Sequence, residues 1–267
     1  MRSYNVLVVG YGNIGSHLYD ELNVPGVNLY VYDPYKDDDK ENFTKDLIML
    51  WKIDFDLAFI CVPTEMREDG SCDTGQVFDA VYTVNKKSRT KVIVVKSTVP
   101  VGTCDMLSKS ISNIVFSPEY YGTTIHAPKS PDFVILGGEK KLCTEVANFY
   151  YTVKSSALRV KYTNFKTAEL AKYMENCFLA MKVAFCSEFA IISEQFDIDY
   201  PELREIFIMD ERMGDSHTLI HPEQPYYDSH CLNKDIPGLI KQSEESKLMQ
   251  AVNSINKERK NKYRDSF

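Results

Sequence analysis

Three glycines, in the run Gly10-Tyr11-Gly12-Asn13-Ile14-Gly15, follow an apolar stretch at residues 5–9 and precede a helical pattern. Glycines at this spacing permit a tight strand-to-helix turn and let backbone approach a pyrophosphate closely. The amides that open the helix can then hold the anion. The spacing alone also fits a turn that merely closes tightly, but its setting between strand and helix matches the dinucleotide mechanism. It demands a βαβ unit and so limits the fold more than any other feature of the chain. Asp33 closes the next apolar run, 18 residues after Gly15. A carboxylate there can accept hydrogen bonds from both ribose hydroxyls and repels a 2′-phosphate, which favours NAD over NADP. Gly10, Gly12, Asn13, Ile14, Gly15 and Asp33 are the first candidate cofactor contacts.

Short apolar runs recur at residues 29–33, 57–62, 92–96, 114–116 and 133–136, separated by helical patterns. Several are apolar on consecutive positions, as in strands buried on both faces of a parallel sheet. The alternation predicts an α/β fold, a Rossmann-type doubly wound parallel sheet. After Val160 the character changes. Residues 165–196 contain neither Gly nor Pro and read as one long helix, with further helices predicted over 201–209 and 236–257 and a loop over 214–230. The expected division is a nucleotide-binding domain at 1–162 and a smaller all-helical domain at 163–267, for substrate and dimerisation.

Net charge is −7, which argues against nucleic acid as a partner. The basic cluster Lys257, Arg259, Lys260, Lys262 and Arg264 reads as a solvated helix end. No uninterrupted apolar run approaches the roughly 20 residues of a bilayer span, and no signal-like segment opens the sequence, so no membrane partner is expected. The seven cysteines are scattered and form no CxxC pair. That pattern predicts a reducing, cytoplasmic setting, with no metal site.

Five further segments carry chemistry. They are Ile60-Cys61-Val62-Pro63-Thr64, Lys96-Ser97-Thr98-Val99-Pro100, Ser117-Pro118-Glu119-Tyr120, Glu169-Leu170-Ala171-Lys172-Tyr173-Met174-Glu175-Asn176, and His230-Cys231-Leu232-Asn233-Lys234-Asp235. Glu169, Lys172 and Asn176 stand at i, i+3 and i+7, one face of a helix. A Lys and an Asn so placed can donate to an oxygen gaining negative charge. Cys231 stands just before a helix expected to begin near Asp235, with Pro237 in its first turn. Helix dipoles and Lys234 there would favour the thiolate.

In order and spacing these segments resemble the UDP-glucose/GDP-mannose dehydrogenase family, from about residue 5 to 240. The resemblance implies an NAD-dependent oxidation of a nucleotide sugar's primary alcohol to the uronic acid, through a thiohemiacetal and a thioester on Cys231. It makes Val62, Pro63, Thr64 and Thr98 cofactor contacts. Thr98 would aid a water at the cofactor side or simply cap a strand end. Glu119 would assist water or proton transfer, Lys172 and Asn176 would hold the substrate oxygen, and Asp235 would position or balance that lysine. Lys234 would join the substrate set. Arg212 would either reach the substrate of a homodimeric partner or pair with Asp210 or Glu211.

The sequence departs from the family's pattern at three places. Thr123 stands where a second acid is expected. Tyr226-Tyr227-Asp228-Ser229-His230 replaces a glycine-rich run. The sequence ends 36 residues after Cys231, short of the third domain that grips the nucleotide. Weak nucleotide-sugar binding is therefore expected, unless Tyr226 or Tyr227 stacks on a base and His230 reaches a phosphate. Alternatively these tyrosines pack the loop. A smaller hydroxy substrate, or a non-catalytic NAD-binding protein, are the alternative functions.

Overall fold

The computed structural model describes residues 3–121 and 131–264, so Thr123 lies outside the described residues. The chain divides into two compact units, one of residues 3–65, 73–121 and 131–172, the other of 66–72 and 173–264. The division falls within a single helix, α5 (Phe165–Gln195).

The first unit is built on an eight-stranded sheet. Its strands are β1 (Tyr4–Val9), β2 (Val27–Tyr32), β3 (Phe43–Thr44), β4 (Asp54–Ile60), β5 (Arg89–Val95), β6 (Ile114–Phe116), β7 (Phe133–Gly138) and β8 (Arg159–Thr163). Their order across the sheet is β3-β2-β1-β4-β5-β6-β7-β8. All pairings are parallel except β6 with β7. This is the doubly wound sheet expected. Alternate side chains of each strand enter opposite faces, and both faces are buried. Val6 and Val8 join Leu57, Phe59 and the α4 (Lys140–Val153) residues Val146, Ala147 and Phe149. Leu7 and Val9 join Ala58, Ile60 and the α2 (Gly75–Lys87) residues Val77, Val81 and Val84. Each such Val, Leu, Ile or Phe side chain taken fully from water contributes about 1.5–3 kcal/mol, which explains the consecutive apolar positions in the sequence.

The second unit is helical, with α5 continuing into it beside α6 (Tyr200–Ile208), α7 (His230–Gln242) and α8 (Lys247–Arg264). Cys177, Ala180 and Ala184 of α5 pack with Tyr227, Leu232, Ile236 and Val252. Two expectations are corrected here. The helix placed at 236–257 is two helices, parted at Ser243. The first of them starts at His230 rather than near Asp235, because Ser229 caps it by accepting from the Leu232 amide at 3.3 Å. Pro237 consequently lies in the helix interior. By length and composition α5 is apolar enough to cross a bilayer, a test that the core helix of a soluble protein passes as well.

Candidate active site

Parallel strands place their carboxyl ends along one edge, where open α/β sheets take their ligands. Gly10, Asp33, Cys61 to Thr64, Lys96 to Thr98 and Ser117 to Glu119 all follow strands β1, β2, β4, β5 and β6. Between β2 and β4, at β1, the winding reverses. A Cβ on Gly10, whose φ is +86°, would meet the Cys61 carbonyl oxygen at 2.9 Å, and one on Gly15 would sit 2.0 Å from the Gly10 oxygen. These two glycines let the turn close. Gly12 differs: nothing lies within 4 Å of its added Cβ. It opens α1 (Asn13–Leu22) with no side-chain cap, and Asn13 is exposed and Ile14 half-buried beyond it. Open space over an uncapped helix N-terminus fits a pyrophosphate.

Asp33 is buried, its two oxygens accepting from the Tyr11 amide at 2.8 Å and the Tyr35 amide at 2.9 Å. Each carboxylate oxygen has a further lone pair for a ribose hydroxyl. Thr64 donates to the Thr98 carbonyl at 3.0 Å and Ser97 to the Val62 carbonyl at 2.6 Å, which ties the two loops together. Val62 and Thr98 are half-buried and Pro63 is exposed. Ser117 Oγ, fully buried, has no hydrogen-bond partner among the described residues. An unmet polar group at a central strand end also fits a ligand-facing edge. The residues present thus suit a dinucleotide.

Glu119 forms an ion pair with Lys96 at 3.1 Å, the lysine buried and the carboxylate half-buried. The same carboxylate accepts from the Tyr120 and Tyr121 amides at 2.8 Å each. Burial pushes its pKa up, but Lys96 and the two amides outweigh burial and hold it at about 2. An acid so low is a poor proton carrier near neutrality, so its expected proton-transfer role has no support in this geometry. Nothing in the sequence pointed to Lys96 as its partner, because the contact needs β5 and β6 to be neighbours. Glu169, fully buried, accepts from the Gly102 amide at 2.6 Å and the Cys104 amide at 2.8 Å. It therefore caps α3 (Thr103–Ser108). Lys172 is buried, its ammonium 4.5 Å from the Tyr120 ring centroid.

Asn176 follows one turn along α5. Its amide donates to Asp235 at 2.6 Å, and the other Asp235 oxygen pairs with the Lys234 ammonium. Asn176, Lys234 and Asp235 are all buried. Both Asp235 oxygens are thus engaged, and Lys234 is held as its counter-ion. Cys231 lies in the first turn of α7 and is exposed, whereas the other six thiols are buried. Burial pushes Cys61 and Cys177 up to about 12 and Cys143 to about 11, which keeps them inert.

Arg212 is exposed and grips Asp210, with contacts of 2.5 and 3.0 Å. Tyr227 belongs to the helical core, its amide and carbonyl held by Asn256 at 2.8 and 3.0 Å. It packs the loop onto the helices. Tyr226 is half-buried and His230 exposed. Among the described residues no group of three or more His, Cys, Asp or Glu side chains could hold a metal ion.

Residues 25–154 match the model of the UDP-glucose/GDP-mannose dehydrogenase family NAD-binding domain, and residues 166–258 match that family's central domain. The chain is 31% identical over 204 residues to a UDP-glucose 6-dehydrogenase of Rickettsia prowazekii, covering 73% of this chain and 46% of the relative. To the Rhizobium meliloti enzyme of that name it is 31% identical over 242 residues, 82% of this chain and 54% of the relative. It thus spans about half the length of these relatives. Among solved structures, a UDP-glucose dehydrogenase from Pyrobaculum islandicum superposes with a TM-score of 0.79 at 20% identity, over 96% of this chain and 68% of that one. A 3-hydroxyisobutyrate dehydrogenase from Mycobacterium tuberculosis superposes with a TM-score of 0.73 at 14% identity, over 98% of this chain and 95% of that one.

Proposed function

The chain belongs to the UDP-glucose/GDP-mannose dehydrogenase family and has its NAD-binding domain, and from that premise we propose that it oxidises a nucleotide sugar's primary alcohol to the acid. NAD, when bound, accepts the hydride of each oxidation. The chain's own part begins with Cys231. Its thiolate adds to the aldehyde carbon, and the carbonyl oxygen becomes the hydroxyl of a thiohemiacetal. Oxidation of that adduct leaves a thioester, which water cleaves to the carboxylate and the free thiol. Lys172 and Asn176 donate to the oxygen as its charge grows. Asp235 fixes the Asn176 amide and balances Lys234.

The observation that carries this reading is that Cys231 is exposed and opens a helix, while the other six thiols are buried. Amide dipoles at a helix start favour the thiolate. Asp33 favours NAD over NADP, so calorimetry should give the tighter binding to NAD. We further propose a cytoplasmic homodimer in which Arg212 reaches the partner's substrate. Incubation with NAD and a panel of nucleotide sugars tests the chemistry: two NADH per sugar support it, and one NADH with aldehyde release overturns the thioester route.

A second reading, oxidation of a smaller hydroxy compound, is favoured by the fold likeness to the hydroxyisobutyrate dehydrogenase, which covers nearly all of both chains. Turnover of short hydroxy acids, with none of any nucleotide sugar, would select it.

A further inference from the structure

The glycine turn and the end of β2 hold one another through a closed set of hydrogen bonds. The Asp33 carboxylate accepts from the Tyr11 amide at 2.8 Å on one oxygen and from the Tyr35 amide at 2.9 Å on the other. The Lys36 ammonium completes the set by donating to the Tyr11 carbonyl at 2.7 Å. Pro34 stands between Asp33 and Tyr35, and its own ring holds φ near about −65°. An aspartate bonded to the amide two residues on closes an Asx-turn. The backbone is therefore fixed on both sides of Tyr35. Its side chain is not. Tyr35 is 87% exposed, more than any other large apolar or aromatic residue described, and its ring and hydroxyl make no hydrogen bond or ring contact among the described residues. A flat ring presented by a rigid backbone loses little freedom when a ligand covers it.

Asp33 sets what that ligand is. In adenosine the base stands on the carbon next to the one that bears the 2′-hydroxyl. A carboxylate that takes the ribose hydroxyls therefore brings the base to the residues that flank it. We propose that Tyr35 is a cofactor-binding residue whose ring stacks on the adenine of NAD. NAD binding follows from the family's domain, so the stack holds whichever alcohol is oxidised. Asp33 then selects against a 2′-phosphate, whereas Tyr35 supplies affinity for the base without reading its identity, since every base has a π face.

Calorimetry on the whole chain tests the stack without reference to turnover. Tyr35→Ala should weaken NAD binding about tenfold, the scale of one base–aromatic stack. ADP-ribose, which carries the same adenosine, should weaken by the same factor. Nicotinamide mononucleotide, which lacks it, should bind the variant as it binds wild type. Tyr35→Phe and Tyr35→Trp should keep NAD affinity within about twofold of wild type, because both keep a stacking face. All three variants keep the backbone amide that Asp33 accepts from, so the preference for NAD over NADP should be the same in each. An unchanged urea midpoint in Tyr35→Ala shows that the fold is kept. NAD affinity at the wild-type level in Tyr35→Ala would overturn the inference, as would a Phe variant as weak as the Ala variant. A loss equally large for nicotinamide mononucleotide would overturn it too, by making Tyr35 a prop of the turn rather than a contact of the base.

Discussion

The two units solve the same problem, where to put apolar surface, in opposite ways. In the sheet unit, strand side chains such as Val6, Leu7, Phe59, Ile60 and Val95 are completely buried, because helices cover both faces. In the helical unit, α5 buries Cys177, Ala180 and Ala184 yet leaves Met174, Phe178, Phe185 and Phe189 exposed, at 73%, 55%, 48% and 42%. Those four recur at helical spacing and form a stripe on the side of α5 turned away from Lys172 and Asn176. A stripe of large apolar side chains suits the homodimer proposed above, since a two-fold axis lets one such stripe cover its own copy.

Removing the thiol should separate the two units by function and is the largest effect expected. Cys231→Ser should lower acid formation by at least about a thousandfold, since a serine alkoxide is far harder to form than a thiolate. NAD affinity, a property of the sheet unit, should stay unchanged by calorimetry. A serine variant that still releases acid near the wild-type rate would end the thioester route.

Next in size is the buried polar cluster of the helical unit. Asp235→Ala strands the Lys234 ammonium, which is buried, and leaves Asn176 without its acceptor. Breaking such a pair costs about 3–5 kcal/mol, to be read from urea unfolding. A loss below about 1 kcal/mol would mean that Lys234 finds water on its own.

The Lys96–Glu119 pair of the sheet unit gives a pH signature instead. The Glu119 carboxyl sits at about 2 in the folded protein against an ordinary 4.5. A depressed acid contributes stability that is fully present above the unfolded value and is lost as pH falls through the folded one. That contribution is about 3 kcal/mol, so it should fade between about pH 5 and pH 2. Glu119→Gln should flatten this limb of the stability curve. If wild type and variant lose stability in parallel over that window, the pair does not hold the ionised carboxylate.

How far the sequence could be read follows the same contrast. Strands buried on both faces announce themselves as apolar runs, so β1, β2, β4, β5, β6 and β7 were expected within a few residues. Two strands were not. β3 is two residues long, and β8, Arg-Val-Lys-Tyr-Thr, is a half-exposed edge strand whose polar side chains imitate a loop. In the helical unit Pro237 pointed to a helix start. The cap at Ser229 overrode it, since the ring costs one interior hydrogen bond while the capped start satisfies amides that would otherwise be bare. The site was legible where chemistry lies in one segment, as at the glycine turn and Cys231. It was illegible where it depends on strand order, as at Lys96 with Glu119, or on a ring 52 positions away, as at Lys172 with Tyr120.

The apolar stripe supplies the next test. Phe178→Glu should turn a dimer into a monomer by light scattering at micromolar concentration, with little change in unfolding free energy per chain beyond the lost association. Wild-type protein that is already monomeric would leave α5 with some other cover.

Arg212 should show the smallest effect on stability and is the sharpest probe of whether the helical unit completes a neighbour. Its side chain is 83% exposed, and its only contacts among those described are with Asp210, two residues away. Exposed pairs of this kind contribute little to stability, so Arg212→Ala should leave the urea unfolding midpoint close to that of wild type. If Arg212 reaches the partner's substrate, the same variant should raise KM for a nucleotide sugar several-fold while leaving NAD affinity alone. Stability and KM would then part company, which a surface pair cannot explain. An unchanged KM would return Arg212 to Asp210, and the apolar stripe would have to justify dimerisation by packing alone.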